Sequence, residues 1–434
     1  MSQTFLQEFE TRSTAATADS PDWLEPVRRR AMDRFAATGF PTAREEEWRF
    51  TPVAPITQTP WRQASGTARV KRQDLESFVF GHPEWITLVF VDGVYREELG
   101  SGGLRSGGIQ VHSLADAISG NGVPLQAHLT RYAPIDSSAF TALNTALIRE
   151  GAIIQVGANT EATRPVHLVF VTTKEAHGCA IQPRNLIVVE RGARAAVVES
   201  YVSLAPGSSY WTNTVTEVVL GANAWLEHTR IQRESERAFH IGATHVHQLR
   251  DSHYRNFSMA MGGALARHNL HARLNDSNVE TLLYGLYITR GDQLVDNHTT
   301  IYHDQPNCRS WEVYKGILDG RSRAVFNGKV LVKPEAQQTD AKQTNRNLLL
   351  SDQAKVNTKP QLEIFADDVK CTHGATVGRL DDLALFYARS RGVPAQDAQR
   401  LLTYAFAAEV IAEVTLQPVR EELEHLVRER LGTL

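Results

Sequence analysis

The chain has 434 residues, 42% of them hydrophobic and 22% charged, with a formal net charge of -3 at pH 7. That composition is globular and long enough for one large core or two to three domains. The slightly acidic balance supplies no phosphate-binding field and argues against a nucleic-acid protein.

Cys179, Cys308 and Cys371 are widely spaced and odd in number, with no CxxC, which argues against a disulfide framework and fits a reducing compartment. The first residues, "MSQTFLQEFETRS", lack the basic and apolar regions of a secretory signal. No apolar run approaches the roughly 20 residues needed to cross a bilayer. The expectation is a soluble, cytoplasmic protein.

Four regions follow one another. Residues 1–60 are helical in character: in "DSPDWLEPVRRRAMDRFAATGFP", Ser20 offers an N-cap and Pro21 a first-turn residue, and Gly39 and Pro41 stop the helix. Residues 61–150 form a mixed connecting region with one evident strand, "WITLVFVDGVY", turned at Asp92-Gly93, and a short helix over 138–149. Residues 151–380 carry recurring β-branched runs such as "AIIQV", "VHLVFV", "AAVVESYV", "ETLLYGLYI" and "AVFNGKVLV". Turns such as "ERGAR", "LGANA" and "LDGRS" separate them. No amphipathic helix of normal length interrupts this stretch, which disfavours a parallel α/β fold needing crossover helices. The turns recur at uneven intervals after similar strands, which predicts a degenerate parallel β-helix, with a sandwich as the alternative. Residues 381–434 return to helix, starting at Asp381-Asp382, breaking at Gly392-Val393-Pro394 and ending in "VREELEHLVRERL". These helices either pack on the chain's own body or dock a partner.

Several chemical signatures are absent. There is no GxxxxGK[ST], GxGxxG, HExxH or GxSxG, so the chain is not expected to hydrolyse a nucleotide itself. His240, His245, His247, His253, His268 and His271 crowd one stretch. His245 and His247 share a strand face, but no cysteine or spaced carboxylate completes a tetrahedral set, and a wetted strand face is the simpler reading. The acidic pairs Asp367-Asp368 and Asp381-Asp382 point to opposite sides of a strand, and turn or cap duty suits them better than acid–base catalysis.

The stretch "DDVKCTHGATVG" is more pointed. On a strand, Cys371 and His373 project from one face about 7 Å apart. That is too far for a thiol and its base to bond directly. Thiolate and imidazole suit zinc or iron if a second chain supplies the remaining ligands. A cysteine packed as a small hydrophobe is the bland alternative.

Residues 347–394, "NLLLSDQAKVNTKPQLEIFADDVKCTHGATVGRLDDLALFYARSRGVP", closely resemble the signature of the SufB/SufD family, scaffold-type proteins of SUF iron–sulfur cluster assembly. "YKGILDGRSRAVFNGKVLV", "EAQQTDAKQTN" and "GFPTAREEEWRFTP" extend the likeness over most of the chain. Chains of the SufB branch carry an acidic "EHE"-like cluster in place of Cys371-Thr372-His373 and a cysteine in the stretch equivalent to "QTNRNLLLS". Residues 343–351 here contain no cysteine, so the resemblance is to the SufD branch. It implies a right-handed parallel β-helix between helical regions, pairing with SufB near "DVKCTHGATVG", and docking of the ATPase SufC on 381–434. It further implies that His373, with Cys371 second, binds iron or the nascent cluster at the SufB interface. A reduced flavin held by the complex is the reductant it suggests, and no flavin or ATP site is visible in this chain. A purely structural stabiliser of SufB, a homodimer of the isolated chain, and a β-helix carbohydrate-active enzyme with clustered carboxylates remain as alternatives.

Overall fold

Short strands and tight corners wind into coils, each coil giving one strand to each of two facing sheets. The computed structural model describes residues 20–80, 84–101, 105–120 and 125–432. Met1 to Asp19, including the stretch read for a signal, lies outside them.

One sheet runs Ile109–Ser113, Ala152–Val156, Arg184–Val189, Trp211–Leu220, Phe239–Gln248, Leu265–Leu274, Leu294–His303, Arg323–Val332 and Lys355–Ile364. The other runs Ile86–Val91, Val166–Thr172, Arg194–Ser203, Trp225–Arg233, His253–Ala260, Glu280–Thr289, Arg309–Leu318, Thr339–Leu349 and Val369–Gly378. Pairing between coils is parallel throughout, apart from the antiparallel contact of Ile109–Ser113 with Ala152–Val156. The fold is a parallel β-solenoid of about eight turns with helices at both ends, as the unbroken run of strands predicts. Its sheets begin ahead of Gly151, because Ile86–Val91 and Ile109–Ser113 join the first coils.

The corners explain why the repeat is faint. One corner of each coil holds a left-handed residue: Asn159, Gly192, Asn223, Asp251, Asn278, Asn307 and Gln338. The amide of each donates to a carbonyl in the corner of the next coil, from Asn159 to Arg191 (2.8 Å) through Gln338 to Asp368 (2.7 Å). Only the backbone conformation repeats, and Gly, Asn and Asp reach it at low cost. Coil length also drifts: the register pairs Trp225 with His253, His253 with Glu280, Glu280 with Arg309, Arg309 with Asp340 and Asp340 with Lys370. Asp367-Asp368 sits in the last corner, which is the turn duty expected of it.

The lumen between the sheets is apolar along one flank, where Leu220, Val246, Leu274, Ile301 and Val332 stack with Leu226, Tyr254 and Leu283. Its other flank is polar. Glu199 Oε1 accepts from Thr216 (2.9 Å) and contacts His228 Nε2 (3.1 Å), and Glu234 Oε2 lies 2.6 Å from His240 Nδ1. Such groups survive burial because partners satisfy them.

The N-terminal region covers the outer face of the first sheet. Its helix spans Leu24–Thr38 and buries Leu24, Ala31, Met32 and Phe35. It starts after the expected Ser20 cap, because the Ser20 hydroxyl accepts from Arg28 instead (2.9 Å). Gly39, at φ 62°, ends it as expected. The predicted helix near residue 138 spans Ala139–Ala146, with the Ser138 hydroxyl accepting from Phe140 N at 3.1 Å. Its Asn144 donates to the backbone of Pro183 and Asn213, fixing it to the sheet.

At the other end stand three helices, Asp382–Ser390, Ala395–Ile411 and Gln417–Leu431. The last two are amphipathic and bury Ala407, Val410, Ile411, Val419, Leu423 and Val427 against Phe257, Met259 and Leu286 of the second sheet. Among the described residues, no helix is long and apolar enough to cross a membrane.

The open solenoid end as candidate functional site

Alternation decides where the two expected ligands lie. Val369 and Cys371 pack against the lumen, so His373, two residues on, occupies the next inward position. In register, Cys371 stacks over Ala341 and His373 over Gln343 of the preceding coil. Among the described residues no strand stacks on the other side, and His373 is exposed and Cys371 half-buried. The structure thus places the pair side by side at the mouth of the lumen, on the terminal strand.

The mouth is an edge as well as an opening. Among the described residues, Lys355–Ile364 pairs only with Arg323–Val332, and Val369–Gly378 only with Thr339–Leu349. Each end strand therefore presents backbone N–H and C=O groups that another strand can pair. Ile364, Phe365 and Val377 are exposed around this rim. The residues of the mouth are apolar and hydrogen-bonding together, with an imidazole at the centre.

The thiols differ in accessibility. Cys308 is buried, its Sγ 3.2 Å from the Asp276 carbonyl, and its pKa is pushed up to about 11 by burial. Burial also raises the Cys371 thiol above its ordinary range, partly opposed by a backbone hydrogen bond from Ala341. Cys371 is therefore held as the neutral thiol, and a metal must displace its proton to bind there.

Three histidines of the rich stretch, His240, His245 and His268, are buried rather than wetted, while His247, His253 and His271 are half-buried. His240 and His268 point into the lumen, where His268 Nε2 meets the Thr244 hydroxyl at 3.0 Å. His245 and His271 stack on the outer face at 4.6 Å beneath the N-terminal region, and burial pushes the His271 pKa down to about 4. His245 is buried and His271 half-buried because the N-terminal region covers the sheet, a tertiary event that strand periodicity does not encode. Among the described residues, no group of three or more His, Cys, Asp and Glu side chains is placed to hold a metal. The buried acids Glu199, Glu234 and Glu312 face the lumen, out of reach of a polysaccharide.

A second surface stands out on the first C-terminal helix. Asp381 Oδ1 caps it by accepting from Leu383 N (2.8 Å), yet the helix buries no residue. Leu383, Phe386 and Tyr387 are 73%, 69% and 60% exposed, and Leu401 extends the patch from the next helix. An amphipathic helix that turns its apolar side to solvent is not stabilised by its own chain.

These features define a β-solenoid of scaffold type, with its distinctive groups at an open end and on an exposed helix. The family model of the SufBD core domain of SUF-system FeS cluster assembly matches residues 170–406, and that of the SufBD N-terminal region matches 1–168. The chain belongs to the SufBD family and to SUF iron–sulfur cluster assembly. It is 35% identical to an iron-sulfur cluster assembly SufBD family protein of Synechocystis sp., over 92% of this chain and 89% of that one. It is 32% identical to the iron-sulfur cluster assembly protein SufD of Escherichia coli, over 94% and 93%. Chloroplastic ABCI7 of Arabidopsis thaliana is 30% identical, over 96% and 88%.

Proposed function

We propose that this chain is a non-catalytic, SufD-type subunit of the SUF scaffold complex, which pairs end to end with SufB and carries the ATPase SufC. The observation that supports the pairing is the open lumen mouth, where two ten-residue strands, one of them carrying His373, each have one free edge. A second solenoid docked there continues both sheets, satisfies the edges, and encloses the imidazole. Iron and sulfide are the cargo. His373 serves as a ligand from this side, Cys371 is second to it, and the partner completes the set.

The exposed face of Leu383, Phe386 and Tyr387 is the proposed ATPase dock. ATP bound by SufC docked there biases a two-state interface, opening and closing the enclosed site. Reconstitution with His373→Ala is expected to leave the complex assembled and to remove iron from it. Unchanged iron would leave the chain a structural stabiliser of SufB. For the ATPase, Leu383→Ala with Phe386→Ala is expected to abolish co-purification of SufC, and retained binding would refute the assignment. Point changes suit this test better than truncation after Leu380, because the last two helices bury the second sheet.

A further inference from the structure

One coil beneath His373, the lumen holds a polar side chain whose bonding is half complete. Gln343 is 2% exposed. Its Nε2 donates to Glu312 Oε2 at 2.8 Å, one coil further in. Its Oε1 is buried and has no partner. Above about pH 7, where Glu312 is ionised, its carboxylate only accepts, so the bond to Glu312 turns the NH2 group inward and the carbonyl oxygen outward. A buried carbonyl left unbonded is costly, and the register offers it one ring: His373.

The opposite wall holds the carboxamide in place. Gly328 faces Gln343 across the lumen, and a Cβ at 328 would lie 2.1 Å from Gln343 Nε2. The missing side chain is thus the space the amide occupies. Adjacent coils are about 4.8 Å apart, a gap that a carboxamide and an imidazole reaching toward each other can close.

We infer that Gln343, oriented by Glu312 and seated against Gly328, is a positioning residue that accepts the inward ring N–H of His373 and leaves the other ring nitrogen as a lone pair at the mouth. This inference rests on the reading of His373 as a metal ligand and assigns what sets its tautomer. A histidine ligand ordinarily has its second nitrogen held in this way, and the tautomer follows from that bond. Neither Gln343, Glu312 nor Gly328 touches the cargo in this arrangement.

The test is made on the full chain without iron. Isotope-labelled histidine is incorporated and the ring nitrogens are observed by NMR at pH 8.5, with His373 identified by its loss in His373→Ala. In the native chain one neutral tautomer of His373 should dominate about fivefold, the ratio that one ordinary hydrogen bond supports. Gln343→Leu and Gly328→Ala should each return the ratio to that of a histidine in an unfolded peptide. The other histidine signals in the same spectra report whether each variant is folded, and Gly328→Ala keeps every polar group should Gln343→Leu fail to fold. A native ratio equal to the peptide's, or a bias surviving in the folded variants, overturns the proposal. Because no iron is present, that failure is separate from failure of the ligand reading, which shows as iron retained by the His373→Ala complex.

Discussion

At the scale of single residues, the strongest attachments of the N-terminal region are buried charges. Glu217 Oε1 lies 2.6 Å from Arg184 Nη2, both fully buried, and the same carboxylate accepts from the amides of Thr130 (2.8 Å), Tyr132 (2.8 Å) and Ala133 (3.1 Å). Glu217→Ala strands the guanidinium and three amides, so a loss of about 3–5 kcal/mol is expected in denaturant unfolding. Glu312 makes a different prediction. Burial raises its pKa to about 7, above the unfolded value, so the folded state holds the proton more tightly. Its favourable contribution is complete below about pH 4.5 and is lost as pH rises to 7. Relative to Glu312→Gln, the native chain should lose on the order of 3 kcal/mol across that window, measured by unfolding at each pH. That Cys371 and His373 share one face of the terminal strand was legible from their i, i+2 spacing. Gln343 and Glu312 were not, because their relation to His373 runs across coils, and uneven coil lengths hide the alignment.

At the scale of elements, the strands that read clearly from sequence are those with an apolar lumen side, such as Val166–Thr172 and Arg323–Val332. Trp225–Arg233, "WLEHTRIQR", did not. Its His228, Arg230 and Gln232 face a polar lumen, while its Ile231 packs outward beneath the C-terminal helices. Both faces are buried, and the expected alternation is inverted. Neighbouring strands also interlock by size. Gly285 is in register with Tyr314, and Tyr287 with Gly316, and a Cβ at Gly316 would lie 2.1 Å from the Tyr287 ring. Gly316→Ala should cost about 1–3 kcal/mol by overpacking, read as a lower denaturation midpoint with unchanged slope. Asp381→Ala removes the cap of a helix that buries no residue of its own, and about 1 kcal/mol lost there should appear as faster amide exchange over Asp382–Ser390.

At the scale of the whole molecule, stacked coils alone would make this chain an array in which each unit feels only its neighbours. The last unit would then be the weakest, with one neighbour instead of two. An exposed edge rimmed by Ile364, Phe365 and Val377 should also associate with itself when no partner is present. Concentration-dependent dimerisation is expected in sedimentation, and Val377→Lys should suppress it.

Tyr287 changes the nearest-neighbour picture. Its hydroxyl passes over Gly316 and bonds to Asn345 and Asn347, two coils away. That contact behaves as a latch spanning three units, so the end of the array cannot unzip one coil at a time. Arg309–Leu318 and Thr339–Leu349 should open together with Glu280–Thr289, as a single cooperative block in native-state hydrogen exchange. Toward the mouth, Lys355–Ile364 and Val369–Gly378 lie beyond the latch, placed to adjust to whatever closes over them while the floor beneath His373 stays fixed.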